Sequence, residues 1–299
     1  MAARSALRVV LVDRNAALVN AWSKQLASVL KHRGEGTSTL SIETHQGTLS
    51  SLPDGKRDER TAIVSPANSI GGMGGGFDEA LSDLYASQGT SSLQRTVESV
   101  ELFVRRNLRH GYTPLGVSHV VEFYNYPDFQ KSKAWLNLRA NSLVVLPTMR
   151  VPRSIYDVER NDSVDVKRRK DMNVVRFIFD CVWEVLSATS RHNEKFGWNA
   201  EDDEVQGRID KVVIPGLGTG YGHLPTDLVA KGMMGALTLW GLCLPETQRD
   251  VIYKGVLCLA FLGEDYTTFE NLQFAKMFTK RAKFDILDND VGDFLKIIV

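Results

Sequence analysis

Along this chain, short apolar runs alternate with stretches in which apolar residues recur every three or four positions, the pattern of strands alternating with amphipathic helices. Residues 8–12 form the first continuous run, as suits a strand covered on both faces. Asp13 or Asn15 is placed to cap the next helix, where Leu18, Trp22, Leu26, Val29 and Leu30 make one apolar side. Residues 39–44, 61–64, 117–126, 142–146, the run from Lys211 and residues 255–262 read as further strands. Helical spacing marks Leu93 to Leu108, Met172 to Leu186, Leu228 to Trp240 and Phe269 to Phe278. Residues 152–170 predict an exposed connection, residues 191–208 a mobile insertion, and residues 285–299 an apolar tail that docks on the body. Strands alternating with helices imply a largely parallel or mixed sheet between helical layers.

Two strands end in glycine clusters, and these mark the candidate site. After residues 61–64, Ser65, Pro66, Ala67 and Asn68 turn the chain; Gly71, Gly72, Gly74, Gly75 and Gly76 follow, and a helix begins near Asp78. After the run from Lys211 come Gly216, Gly218, Gly220 and Gly222, then Pro225, Thr226 and another helix. Without a Cβ, such loops bring backbone N–H groups against a ligand, and a helix N-terminus adds its positive dipole end. Two loops of this kind can grip a diphosphate from both sides. Glycine also serves ordinary βα turns; the pairing of the clusters, with a polar Asn and Asp in the first, favours binding. Neither cluster fits G-x-G-x-x-G or ends in Gly-Lys-Ser/Thr, which counts against a dinucleotide Rossmann site and a Walker loop.

Composition sets the outer limits. A chain of 299 residues, 43% hydrophobic, can bury one large α/β core. Lys plus Arg number 36 and so do Asp plus Glu, so no overall field points to nucleic acid or an anionic membrane. The run Lys167, Arg168, Arg169, Lys170 reads as a solvated loop or a helix start. Cys181, Cys243 and Cys258 sit in apolar runs without metal or disulfide spacing, as small buried hydrophobes of a reducing compartment. The N-terminal apolar stretch is too short for a signal peptide and no segment has membrane-spanning length, so a cytoplasmic or nuclear location is expected.

At the glycine loops the sequence resembles the macro domain, the ADP-ribose-binding α/β/α module. Ser65, Pro66, Ala67 and Asn68, then the glycines, Phe77 and Asp78, align with its first loop; Gly218, Thr219, Gly220, Tyr221, Gly222 and Pro225 align with its second. The phrases IVSPANS, GGGFD and I-P-G-L-x-T-G-Y look especially like fungal macro-like proteins described as ADP-ribose 1''-phosphate phosphatases. The resemblance implies a single domain over residues 1–299, with a three-layer mixed sheet, a macro core at about 40–262, an extra N-terminal βα unit at 7–32 and a C-terminal helical extension at 265–299.

The resemblance also implies ADP-ribose or ADP-ribose 1''-phosphate as ligand, held between the loops, with ADP-ribosylated proteins as further partners and no metal or cofactor. Asn68 and Asp78 then meet the distal ribose, and Asp78 orients or deprotonates a water. The plainer roles are a turn former for Asn68 and a helix cap for Asp78. His223 stands in the second loop as an acid–base candidate or a half-exposed loop residue. Phe261 or Tyr266 is the expected platform for the base, with core packing as the other role for Phe261. Two departures stand out: Ser65 and Pro66 replace the first Asn and Ala, and Thr48 follows Gly47 where the family carries the carboxylate that meets adenine. Both leave a non-catalytic reader of ADP-ribose as the alternative to a hydrolase.

Overall fold

The first strand, β1 (Leu7–Asp13), is central: Val9, Val10, Leu11 and Val12 point alternately to the two faces of the sheet and all are buried. The computed structural model describes residues 6–32, 38–86, 93–196, 207–243, 251–266 and 284–298. Within them β1 is flanked by β2 (Leu40–Gln46) and β6 (Lys211–Pro215), both parallel to it. β3 (Thr61–Ser65) lies between β6 and β5 (Ala140–Val145), again in parallel, and β4 (His119–Glu122) runs antiparallel along β5. The order β2-β1-β6-β3-β5-β4 is a mixed six-stranded sheet.

Helices cover both faces. α1 (Ala16–His32) starts at Asn15, whose Oδ1 accepts the Ala17 amide at 3.0 Å, and turns Leu18, Val19, Trp22 and Val29 inward. Leu30 instead points to solvent, 61% exposed. α5 (Val164–Glu194), α6 (Thr226–Gly241), α7 (Val251–Phe261) and α8 (Val291–Ile298) share that layer, over Val9, Leu11, Val64 and Ile214. The other layer, α2 (Gly76–Tyr85), α3 (Leu93–Asn107) and α4 (Lys133–Leu138), packs on Val10, Val12, Ile63 and Val213. The chain is thus a three-layer α/β/α fold. Its C-terminal helix docks on α1, where Gln25 accepts the Val291 amide and donates to Asp290, both at 2.8 Å.

Several segments depart from the sequence pattern. Residues 255–261 are not a strand but part of α7, and Leu262 lies in the turn after it: the run has three Leu with Val256 its one β-branched residue, and a short apolar run does not declare its period. Residues 152–163 form the expected exposed connection, but Val164 to Lys170, also largely exposed, are the first turns of α5. Ser163 caps them by accepting the Val166 amide at 3.3 Å, and Arg168 pairs with Asp285 at 2.6 Å. β4 is shorter than residues 117–126, because after Phe123 the chain turns and the Tyr126 amide bonds the Phe123 carbonyl at 2.8 Å. Cys243 is exposed, whereas Cys181 is buried. The expected insertion at 191–208 keeps α5 through Glu194; residues 197–206 and the helix expected at 269–278 lie outside the described residues. Among the described residues no helix is long and apolar enough to cross a membrane.

Phe261 is not a platform for a base. It is 1% exposed, enclosed by the rings of Phe179, Phe284 and Phe294 at 5.6, 6.0 and 5.5 Å, and a Cβ on Gly235 would come within 2.3 Å of its Cζ. Tyr266 packs, partly buried, against the same core. Phe261→Ala is therefore expected to cost about 3–5 kcal/mol in urea unfolding; a loss below about 1 kcal/mol would mean that the ring is not part of the core.

Candidate functional site

β3 and β6 pair in parallel from Thr61↔Lys211 to Ile63↔Val213, so the loops that leave them emerge side by side at one edge of the sheet. This is the carboxyl end, where ligands meet open α/β sheets. The two glycine loops meet there: the Tyr221 hydroxyl lies 3.5 Å from where a Cβ on Gly75 would stand, and its Cε2 lies 3.7 Å from that of Gly76.

The first loop is held by main-chain bonds and by three side chains. Leu146 and Thr148 donate to the Ser65 and Ala67 carbonyls at 2.9 and 3.0 Å, which prolongs the β3–β5 ladder past the end of the strand. Asn68 Oδ1 accepts the Ile70 and Gly72 amides, both at 3.1 Å, and its Nδ2 donates to the Gly72 carbonyl at 3.4 Å. From α3, Glu101 accepts the Met73 amide at 2.7 Å and Arg105 donates to the Ile70 carbonyl at 3.1 Å, the two side chains being paired at 2.8 Å. The amides of Ile70 to Met73 are thereby satisfied. Those of Gly74, Gly75 and Gly76 have no acceptor among the described residues. Gly76, at φ +62, bends this free stretch into the first turn of α2, a backbone geometry that side chains disfavour.

The second loop is folded on itself. Leu224 and His223 donate to the Gly218 and Gly220 carbonyls at 3.1 and 3.0 Å, and a Cβ on Gly222 would strike the Gly218 carbonyl at 2.4 Å. Asp13, at the end of β1, accepts the Gly216 amide at 3.2 Å, and its own carbonyl accepts the Gly47 amide at 2.9 Å. Ile155 donates to the Gly222 carbonyl at 3.1 Å from a segment that α5 holds through a Tyr156–Asp171 bond of 2.7 Å. The amides of Gly218, Thr219, Gly220, Tyr221 and Gly222 have no acceptor among the described residues. Free donors thus line both loops, and a Cβ on Gly74 or Gly220 would meet nothing within 4 Å.

Asp78 sits in the first turn of α2 but does not cap it, since Gly75 is the N-cap; its side chain is buried and turned to Ser65, whose hydroxyl donates to Oδ1 at 2.6 Å. Burial, which strips water from the charged form, raises its pKa from 3.8 to about 7 against the opposing pull of the Ser65 bond. The other expected site residues are placed unevenly. Ala67 is buried in the core of the α2 layer, and Phe77, the second residue of α2, packs partly buried against it. Thr219 bonds back to the Gly216 carbonyl at 3.4 Å. His223 is exposed at φ +52, with Nδ1 2.9 Å from the Tyr221 carbonyl of its own loop. Thr48 is exposed beyond edge strand β2, with β1 between it and the second glycine loop. Glu101, Arg105 and Asp13 escape a sequence reading, because a charge on a helix or after a strand looks the same whether it meets water or a distant loop.

A cavity of about 310 Å³ opens at the opposite end of the sheet, lined among others by Leu7, Thr39, Leu186, Asn193, Arg208 and Trp240. Asn193 is engaged there with both the amide and the carbonyl of Ile209, each at 2.8 Å. Burial raises the pKa of Asp210, which also lines this cavity, but the two runs of amides without an acceptor among the described residues are at the glycine loops.

The raised Asp78 pKa carries a sign. The native state binds this proton more tightly than the unfolded chain, so the stability it adds is present below pH 4 and is lost as pH rises through about 7. At about three pH units the loss is on the order of 4 kcal/mol. Asp78→Asn keeps an acceptor for Ser65 but cannot ionise, and is expected to melt above the wild type at pH 8 and level with it near pH 4. Calorimetry at both pH values checks this; an equal gap at both would mean that Asp78 is not shifted.

The sequence that builds this fold has a counterpart among known families: a model of the macro-like domain matches residues 2–277. That match spans nearly the whole chain, and the protein belongs to the macro-like domain family, whose membership implies an ADP-ribose-type ligand.

Proposed function

We propose that the protein binds ADP-ribose or a derivative, with the diphosphate between Gly74–Gly76 and Gly218–Gly222, and that it hydrolyses the terminal phosphate of ADP-ribose 1''-phosphate. The supporting observation is the set of amides in the two loops that have no acceptor among the described residues, with Tyr221 of the second loop against Gly75 and Gly76 of the first. Such amides are preorganised donors for phosphate oxygens and for the charge that grows on them during displacement. Asp78, with its pKa near 7, suits the general base: it takes a proton from water as the oxygen attacks phosphorus, the bond from phosphorus to the 1'' oxygen breaks, and the released ribose oxygen is protonated from solvent. Membership of the macro-like domain family supports the ligand class of this reading.

One observation favours a non-catalytic reader. The amide group of Asn68 is occupied by Ile70 and Gly72, which leaves less of it to clamp a distal ribose. Phosphate release from purified protein given ADP-ribose 1''-phosphate separates the two readings.

Gly74→Ala and Gly220→Ala place a methyl group in open space, so the fold is expected to tolerate them while the ligand does not. Titration calorimetry is expected to show ADP-ribose bound more tightly than AMP by the wild type, and at least about tenfold more weakly by either variant, a change of about 1.4 kcal/mol. Undiminished binding in both variants would remove the diphosphate from this cleft.

A further inference from the structure

The buried bond between Ser65 and Asp78 is used by nothing described so far except as a neighbour to the carboxyl. Ser65 ends a strand whose preceding residues, Ala62, Ile63 and Val64, are apolar and fully buried, and it is itself 1% exposed. A hydroxyl in that setting needs a partner, because an unpaired one loses its bonds to water without replacement. Its backbone is pinned, since the Leu146 amide bonds its carbonyl at 2.9 Å, so the hydroxyl reaches Oδ1 of Asp78 from a fixed base. Among the described residues no hydrogen bond reaches the other carboxylate oxygen.

Resting on the reading of Asp78 as the group that takes the proton from water, we propose that Ser65 is a positioning residue. By donating to Oδ1, it fixes the rotation of the carboxyl and leaves Oδ2 as the oxygen that meets water or ligand in the cleft.

Charged neighbours do not compete for this role. On α3, Glu101 pairs with Arg105, and on α2, Asp83 pairs with Lys133 of α4 at 2.8 Å. Tyr221 and His223 stand on the second loop, and neither bonds the carboxyl. Burial and the Ser65 bond are the two causes that set its titration, and they act in opposite directions.

The test compares wild type, Ser65→Ala and Ser65→Thr, which restores the hydroxyl. Carbon-13 NMR of aspartate-labelled, ligand-free protein follows the Asp78 midpoint. It is expected to rise by about one pH unit in Ser65→Ala, where the bond that favours the anion is gone, and to return in Ser65→Thr. Phosphate release against pH is expected to show its acidic limb displaced by the same amount. At about pH 9, where about nine-tenths of Asp78 is ionised even in Ser65→Ala, kcat of this variant should remain at least about tenfold low with KM little changed, because the misaligned oxygen is not corrected by ionisation. An unmoved NMR midpoint in Ser65→Ala, or full recovery of kcat at high pH, overturns the positioning role. If wild type releases no phosphate at any pH while the midpoint still moves, the hydrolase reading falls and the hold of Ser65 on the carboxyl stands.

Discussion

Everything at the candidate site depends on the parallel pairing of β3 with β6. Their register sends two loops, far apart in the chain, out of one edge of the sheet, where Tyr221 closes against Gly75 and Gly76. β1 is part of the same frame. It lies between β2 and β6, and Asp13 at its end ties the exits of all three strands through the Gly216 and Gly47 amides. The N-terminal βα unit is therefore no appendage, because its strand sits inside the sheet and its last side chain orients the second loop.

The loops divide into amides that build and amides that remain. Asn68, Glu101 and Arg105 fix Ile70 to Met73, and what they leave unpaired is the stretch that opens α2. The free donors therefore coincide with the positive end of a helix, where an anion gains from both. No lysine or arginine lies within residues 65–78 or 216–226, and the arginine that reaches the first loop, Arg105, is taken by the Ile70 carbonyl and Glu101, so the donors these loops themselves offer an anion are main-chain dipoles. Dipoles held by the fold need not reorganise when charge moves on a phosphate, which is why such a cradle can serve both binding and displacement.

Features carried by contiguous residues were legible in the sequence. Strand, glycine cluster and helix start appear as one local pattern in each loop, and the continuous apolar run of β1 announced a strand buried on both faces. What stayed hidden depends on distant partners. Ser65 and Asp78 are thirteen positions apart, and nothing in either neighbourhood signals that one hydroxyl meets one carboxylate oxygen. α7 was misread because a short run of Leu, Ala and Val256 carries no period, and Phe261 fell with it. Asn68 shows a different overlap: the residue type that suits a ribose hydroxyl also suits the turn, and in the fold the turn takes it.

Asp78 places opposite demands on the same atoms. Beside an anion cradle a second negative charge is unfavourable, so a diphosphate that enters favours the protonated carboxyl, whereas abstraction of a proton from water needs the anion. A carboxyl near its ordinary pKa would be charged throughout the neutral range and would oppose the ligand; one driven far higher would never act as a base. Burial alone pushes in the second direction, and the Ser65 bond pulls back toward the first. A midpoint of about 7 leaves both forms populated near neutrality. With Asp78 as the base of the proposed hydrolysis, ligand capture draws on the protonated fraction and turnover on the ionised one, and the hydroxyl at the end of β3 is then the group that sets the balance between the two.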